Sequence, residues 1–236
     1  MRFFGPPDIT KLKQKNNIKG LIKASSYKKE DSIRTASVIA LGEKADPIAI
    51  DALSAAIDDP KENVKKEALK ALRKIGTPEA LEILAKALGN PLNLVQNVAS
   101  DELQNKGAEA VPALIQILSS SDAQARMNAA RVLGKIKDQR ALAPLIQSLK
   151  DQFPKVRKWS VYALKMLGDP SAIEPLINLI DDPNTEVRDF VISTLGQLGD
   201  EKITDALTVN LSHPDENIRA STVVTLDRLN WKPPRD

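Results

Sequence analysis

The sequence predicts an all-α fold, a right-handed α-solenoid (superhelix) of about seven stacked helical hairpins. A short pair, Val, Ile or Ala followed by a polar residue, recurs at intervals of 31, 31, 30, 31, 31 and 31 residues. That period is typical of solenoids, in which each repeat buries its apolar face by stacking on its neighbours. No segment has the alternating pattern of a strand. The pairs are Ile33-Arg34, Val64-Lys65, Val95-Gln96, Ala125-Arg126, Val156-Arg157, Val187-Arg188 and Ile218-Arg219.

Residues 169–199 show how one repeat is built. Asp169 and Pro170 predict a helix start, because aspartate caps exposed backbone amides and proline fits the first helical turn. Asp182-Pro183 predicts a second start, and Gly199 stands where a left-handed helix end is expected. Each repeat is therefore a hairpin of a helix A and a helix B. Their apolar stripes are Ile173, Leu176, Ile177 and Ile180 in A, and Val187, Val191, Leu195 and Leu198 in B.

The charge distribution separates an N-terminal segment from the repeats. Residues 1–29 contain eight Lys or Arg and one acid, whereas the whole chain carries a formal charge of only +3. We interpret residues 1–29 as a basic capping segment with the first A helix, and residues 30–236 as repeats, the last one truncated, in a single elongated domain. A basic arm for nucleic acid or acidic lipid is the alternative role for residues 1–29. The aromatic side chains expected to cover the two ends are Phe3, Phe4 and Trp231.

Composition limits the compartment and the chemistry. Cysteine is absent, which excludes disulfides, thiolate metal sites and cysteine nucleophiles. No apolar run approaches the ~20 residues needed to cross a bilayer, and the first residues lack the apolar core of a signal peptide. We therefore expect a cytoplasmic protein without a membrane span.

The motif Val-Arg, Ala-Leu, Gly-Asp-Pro and Ala-Ile-x-Pro-Leu-Ile resembles the HEAT repeat in its short, phycobilisome-lyase-type form. It stands here at Val156-Arg157, Ala163-Leu164, Gly168-Asp169-Pro170 and residues 172–177, and the resemblance covers nearly the whole chain. It implies a superhelix whose B helices line a concave groove. It does not specify a function, because HEAT proteins include scaffolds, transport receptors, lyase subunits and a few enzymes.

The resemblance also implies a structural role for the arginine that follows the valine. In HEAT proteins this arginine is one half of an Asp–Arg ladder between successive repeats. Asp151 with Arg157 and Asp182 with Arg188 match the spacing. The third repeat has a glutamine in place of that arginine and is one residue shorter before the next A helix. We expect a changed superhelical angle or a softer joint near residues 96–110.

The sequence predicts no active site. The single histidine, His213, precedes Pro214 at a helix-start position and lacks the partners of a catalytic triad. One histidine also cannot supply the repeated His-Glu pairs that bind iron in HEAT-type hydroxylases. No glycine-rich phosphate loop is present, and helix capping explains carboxylate pairs such as Asp181-Asp182. We expect no catalytic residue, no metal and no cofactor.

Helix geometry predicts which side of a B helix faces a partner. Counted from Val156 as position zero, positions 0, +4, +7, +8 and +11 form the core stripe, so +2, +6 and +9, flanked by +3 and +10, lie opposite. By resemblance this arc faces the groove. Three of the eight aromatic residues of the chain fall on it, close to arginine and methionine, as in interface hot spots. The predicted partner-binding residues are Trp159, Tyr162, Phe190, Met166, Met127, Arg131 and Lys158.

A competing interpretation places Trp159 and Phe190, both at +3, between neighbouring repeats as core residues. Tyr162, at +6, is harder to bury and favours an exposed patch.

Three functions are compatible with this surface. The leading hypothesis is a non-enzymatic scaffold or adaptor that binds a protein or peptide ligand in the concave groove. A second is nucleic-acid binding, with aromatics stacking on bases and a basic stripe, interrupted by acids, tracking phosphates. A third is a subunit resembling phycobilin lyase components that holds a linear tetrapyrrole. The cations of the stripe are Lys66, Lys70, Arg73, Lys74, Arg131, Lys135, Lys158 and Lys165.

Overall fold

The computed structural model of the protein describes residues 6–198 and 201–232. Every regular element in these two ranges is helical, which confirms the all-α class. The chain forms two compact units, Met1–Ile117 and Leu118–Asp236. The single elongated domain expected from the repeats stays a prediction, as does the boundary between residues 29 and 30.

Three expected features lie outside the described residues. They are the end caps Phe3 and Phe4 and the helix end at Gly199.

From α2 onward, short and long helices alternate along the chain, as expected for A and B helices. The long B helices span 14 residues each, except the last, which spans 13. In the first unit the helices are α1 (Ile9–Gln14), α2 (Ile18–Ala24), α3 (Asp31–Lys44), α4 (Ile50–Ala56), α5 (Glu62–Ile75), α6 (Pro78–Lys86), α7 (Asn93–Lys106) and α8 (Val111–Ile117). In the second unit they are α9 (Ala123–Ile136), α10 (Leu142–Ser148), α11 (Pro154–Leu167), α12 (Ile173–Ile177), α13 (Thr185–Leu198), α14 (Glu201–Val209) and α15 (Glu216–Arg228).

Three A helices, α4, α10 and α12, begin with a 3-10 turn that an aspartate caps. The Asp169 carboxylate accepts a hydrogen bond from the Ser171 amide at 2.9 Å, and the 3-10 turn Pro170–Ala172 leads into α12. Asp46 and Asp138 cap equivalent turns in the same way. The predicted aspartate N-caps are therefore present in these A helices, and a 3-10 turn precedes the α-helical part of each one.

The predicted start of the B helices at Asp-Pro is wrong by two to three residues. The Asp182 carboxylate accepts from the Asn184 amide at 2.8 Å, within the loop, and α13 begins only at Thr185. Asp59 does the same with the Lys61 amide before α5. These carboxylates close the loop between A and B rather than cap helix B, so their remaining lone pairs can accept from a neighbouring repeat.

Buried ion pairs join successive repeats. Arg157 donates from Nε and Nη2 to the Asp182 carboxylate at 2.6 and 2.7 Å, and from Nη1 to the Asp151 carbonyl at 2.7 Å. The arginines are structural, as expected, but the expected partners are wrong. Arg157 and Arg188 reach only the backbone carbonyls of Asp151 and Asp182, and each binds the carboxylate of the following repeat. The other rungs are Arg34–Asp59, Arg126–Asp151 and Arg188–Asp215.

The second and third repeats lack such a rung, because Lys65 faces a repeat with the neutral Asn90 at the loop position. Lys65 donates instead to the Ile57 carbonyl at 3.2 Å. An ion pair between Arg73 on α5 and the buried Glu102 on α7 links these helices about two turns beyond Lys65. The charges that connect the helices therefore change in the third repeat, and the altered superhelical angle or softer joint expected near residues 96–110 stays a prediction.

The end of α7 is also irregular. Gly107 has φ 64° and ψ −133°, a conformation that only glycine adopts readily, whereas Gly76 and Gly168 end their helices in the ordinary left-handed region. The chain then enters a 3-10 turn at once.

Burial along α11 follows the predicted core stripe and extends it. Val156, Ser160, Ala163, Leu164 and Leu167 are buried, as expected for positions 0, +4, +7, +8 and +11. Position +5, which the stripe omitted, is also buried in the first six B helices: Val38, Leu69, Ser100, Ala130, Val161 and Ile192.

Among residues 6–198 and 201–232, no helix has the length and apolar character required to cross a membrane.

Left-handed helix ends give a first prediction. Lys137 ends α9 at φ 60°, and Gly168 ends α11 at φ 68° with open space where a Cβ would stand. Left-handed backbone costs a non-glycine residue about 1–2 kcal/mol, partly offset by the chain entropy of glycine. We expect Lys137→Gly to raise the free energy of unfolding by about 0.5–1 kcal/mol and Gly168→Ala to lower it by about 1 kcal/mol. Urea denaturation measures both, and equal effects of the same sign would contradict the assigned helix ends.

The ion-pair ladder gives a second prediction. Burial raises the pKa of Asp151, but the hydrogen bonds from Arg126 and from the Phe153 amide outweigh it, so the pKa lies below its usual value. The pair therefore contributes stability above the unfolded pKa of about 4 and loses it as the pH falls through the folded-state pKa. Asp151→Asn should lower the free energy of unfolding at pH 7 by about 3 kcal/mol, because it leaves Arg126 without its carboxylate.

The difference between wild type and Asp151→Asn should begin to shrink below about pH 4, where Asp151 of the unfolded chain takes up a proton, and should vanish only below the lower folded-state pKa, where native Asp151 is neutral as well. The control is Glu67→Gln, which breaks the exposed pair with Lys70 and should cost less than about 1 kcal/mol. A cost for Asp151→Asn that does not change between pH 7 and pH 3 would show that packing, not charge, holds this junction.

Candidate partner-binding surface

Two aromatic side chains lie one turn apart on α11 and pack against each other. The ring centroids of Trp159 and Tyr162 are 5.2 Å apart, with an angle of 76° between the ring planes. Edge-to-face packing of this kind stabilises aromatic pairs beyond the area they bury. Both residues are half-buried, because the opposite side of α11 supplies the core.

Cations from two helices contact the aromatic rings. The Arg131 guanidinium of α9 lies 6.0 Å from the centroid of Trp159, and the Lys158 ammonium of α11 lies 5.9 Å from the centroid of Phe190 on α13. Cation–π attraction acts at these distances. Phe190 is half-buried, like the two aromatics of α11.

These side chains line an open cavity of about 300 Å³. We call it the aromatic pocket; its lining residues are Arg131, Lys135, Lys158, Trp159, Tyr162 and Phe190. Five of the seven predicted partner-binding residues therefore meet in one place. Lys135 was assigned only to the nucleic-acid stripe, although its +10 position beside Arg131 at +6 places the two on one side of α9.

The two predicted methionines do not line the aromatic pocket. Met127 lines a neighbouring cavity of about 430 Å³, together with the exposed Phe153 and with Lys158, which borders both cavities. Met166 is half-buried on α11, beyond the residues that line either cavity. Trp159 and Tyr162 therefore form a pair, and Met166 lies apart from them.

A glycine on α9 sets the position of Tyr162. A Cβ at Gly134 would meet the Ala163 Cα at 2.7 Å and the Tyr162 Cδ1 at 3.4 Å. The backbones of α9 and α11 therefore approach as closely as glycine permits. Gly42 and Ala71 make the same contact between α3 and α5. Position +9 is thus a helix–helix contact in these repeats, and its predicted place on the open arc is wrong there.

The geometry combines the two interpretations of the aromatics. Trp159 and Tyr162 pack on each other, and Trp159 and Phe190 each lie against a cation of a neighbouring helix. They are nevertheless only half-buried and line a cavity open to solvent. Sequence spacing could not distinguish these outcomes, because +3 and +6 border both the adjacent helix and solvent.

Half of the cations in the proposed phosphate-tracking stripe bind carboxylates of the protein itself. Lys158 lies 3.1 Å from Glu186. In the first unit, Lys66–Glu62, Lys70–Glu67 and Arg73–Glu102 are ion pairs. This pairing reduces the charge available for a polyanion.

His213 has a structural partner. Its Nδ1 accepts from the Asp215 amide at 3.0 Å, as Asp182 accepts from Asn184 one repeat earlier. Arg188 accordingly binds Asp215, two residues further along than the usual rung. Over residues 6–198 and 201–232, no group of three or more His, Cys, Asp or Glu side chains is arranged to hold a metal ion.

The repeat motif recurs throughout the chain. The model of the HEAT repeats family matches residues 18–104, 94–165, 111–188 and 173–235. The chain belongs to the HEAT repeat family. Its hairpins are HEAT repeats, and its fold class is the α-solenoid that this family forms. No curated protein matches the chain in sequence.

Solved structures similar to this HEAT protein serve different functions. The complex of CpcE and CpcF of phycocyanin lyase from Nostoc sp. PCC7120 is similar over 62% of this chain and 97% of that chain, at 26% identity and a TM-score of 0.54. Importin beta is similar over 92% of this chain and 37% of that chain, at 15% identity and a TM-score of 0.56. Human deoxyhypusine hydroxylase is similar over 94% of this chain and 88% of that chain, at 22% identity and a TM-score of 0.46. This likeness is too distant to bear on function.

Proposed function

We propose that this HEAT protein is a non-enzymatic scaffold or adaptor that binds a protein or peptide through the exposed face of its B helices. The aromatic pocket of α9, α11 and α13 is the centre of that surface. The observation that carries the proposal is the half-burial of Trp159, Tyr162 and Phe190 around an open cavity. Rigid aromatics that keep one side accessible are the anchors on which protein interfaces depend.

The surface suits recognition rather than chemistry. Helical backbone on this face satisfies its own hydrogen bonds, so it offers side chains and not free amides to a ligand. The polar groups at the pocket are Arg, Lys and Tyr, which bind and orient but form no nucleophile–base pair. The phycocyanin lyase and importin beta structures show that similar repeats occur in proteins of different function.

The double variant Trp159→Ala/Tyr162→Ala tests this function. We expect loss of partner capture from a nuclease-treated lysate, because removing hot-spot aromatics costs about 2 kcal/mol or more each. The midpoint of thermal unfolding should fall by no more than about 5 °C, since both side chains are only half-buried. Mass spectrometry of proteins retained by wild type and not by the variant is the measurement.

The control is Val224→Ala, at the +6 position of α15 and 51% exposed, which should retain the same proteins as wild type. Identical protein lists from wild type and the double variant would refute the aromatic pocket as the interface. Collapse of the double variant on heating would instead assign both aromatics to the core.

The likeness to phycocyanin lyase supports a second candidate function, a subunit that holds a linear tetrapyrrole. A cavity of about 300 Å³ is at the small end of small-molecule sites, which suits one or two side chains better than four linked rings. We therefore expect no change in the absorbance spectrum of biliverdin on mixing with the protein. A spectral shift that Trp159→Ala abolishes would favour the tetrapyrrole function over the peptide function.

A further inference from the structure

The aromatic pocket is strongly biased in charge. Of the six described residues that line it, three are aromatic, three are cationic and none is acidic. Across the outward arc of α9, α11 and α13 the charged residues are Arg131, Lys135, Lys158, Lys165 and a single acid, Asp189. An apolar cavity with a cationic rim discriminates between ligands by charge as well as by shape.

Three aromatics around a cavity often bind a cationic group, but the contacts disfavour that ligand here. Arg131 already lies against Trp159, and Lys158 against Phe190. A cationic ligand would have to displace these side chains and would be repelled by them. The pocket therefore suits a ligand in which an apolar group is flanked by negatively charged groups.

Lys158 can exchange its partner at little cost. Its contact with Glu186 is 3.1 Å long, and the two side chains are 39% and 76% exposed. Exposed ion pairs of this kind contribute only about 0–1 kcal/mol. A carboxylate of a bound partner can thus replace Glu186 at the rim of the pocket.

We infer that the partner is an acidic peptide segment with one large apolar side chain, which enters the aromatic pocket while flanking carboxylates bind Arg131, Lys135 and Lys158. This inference rests on the proposed function and names the chemistry of its ligand. The cavity of about 300 Å³ limits the anchor to one or two side chains. The three cations at the pocket lie on only two helices, α9 and α11, which favours a peptide with a few carboxylates over a nucleic acid, whose phosphates would need a continuous basic track.

The test is selection of random dodecapeptides displayed on phage against the immobilised full chain. Enriched peptides should carry net negative charge and share a Leu, Phe or Trp, and they should not be enriched on Trp159→Ala/Tyr162→Ala. On the variant Arg131→Gln/Lys135→Gln, the acidic bias should disappear while the apolar residue remains. The matched control is Lys66→Gln/Lys70→Gln, which removes cations at the +2 and +6 positions of α5 and should leave the selection unchanged.

The best enriched peptide then provides a quantitative test. Replacing its acids by the corresponding amides should weaken binding about tenfold or more at low salt, by fluorescence anisotropy. The difference should largely vanish at 1 M salt, where the Debye length is about 3 Å. Circular dichroism confirms that each variant is folded, and Trp159→Phe, which keeps an aromatic ring, should bind more tightly than the double variant.

The outcomes separate the two proposals. Neutral or basic peptides that depend on the aromatics would overturn the inference and leave the proposed function standing. No enrichment, or enrichment that ignores the aromatics, would overturn both. Binding of fluorescein-labelled oligo(dT) at ~50 mM salt without peptide enrichment would also overturn both, in favour of a nucleic-acid surface.

Discussion

Each hairpin of this chain completes its core only when the next hairpin covers it. Position +5 of the B helices shows this dependence: Val161 on α11 is fully buried, whereas Val223 at the same position of the last described B helix is 48% exposed. The two residues are chemically identical, so their surroundings in the fold account for the difference. Apolar burial along such a stack is the main stabilising term.

Two kinds of contact determine how neighbouring hairpins pack: buried ion pairs and a close helix–helix approach at glycine. Arg157 and its equivalents connect the loop of their own repeat to the carboxylate of the following one, which fixes the register of the hairpins that carry such a rung. Buried ion pairs add little net stability but penalise misaligned partners. Gly134 lets α9 and α11 approach closely, and this approach holds Tyr162 beside α9. The rungs lie near the loops and the glycine contact lies along the helices, so together they constrain the hairpins at two places.

The aromatic pocket is a consequence of this stacking. Arg131, Trp159 and Phe190 lie on three different helices, and each has one side against a neighbour and one side toward the cavity. The cations both shield the rings and create a positive rim. A surface of this composition binds by anchoring an apolar group and orienting acidic ones. Catalytic chemistry would need a different set of side chains, since no lining residue forms a nucleophile with its base.

The sequence by itself determined the repeat period, the helical hairpins, the core stripe and five of the six residues that line the aromatic pocket, because helical periodicity depends only on spacing along one chain. The start of the B helices was predicted two to three residues too early. The Asp182 carboxylate accepts hydrogen bonds from its own loop and from an arginine of another repeat, and it does not cap the helix. Only the tertiary structure decided which rungs form, that position +9 is a contact at Gly134, and that Met127 and Met166 lie apart from the aromatics. These features depend on distances between helices, and interhelical distance is set by packing, which spacing along one chain does not encode.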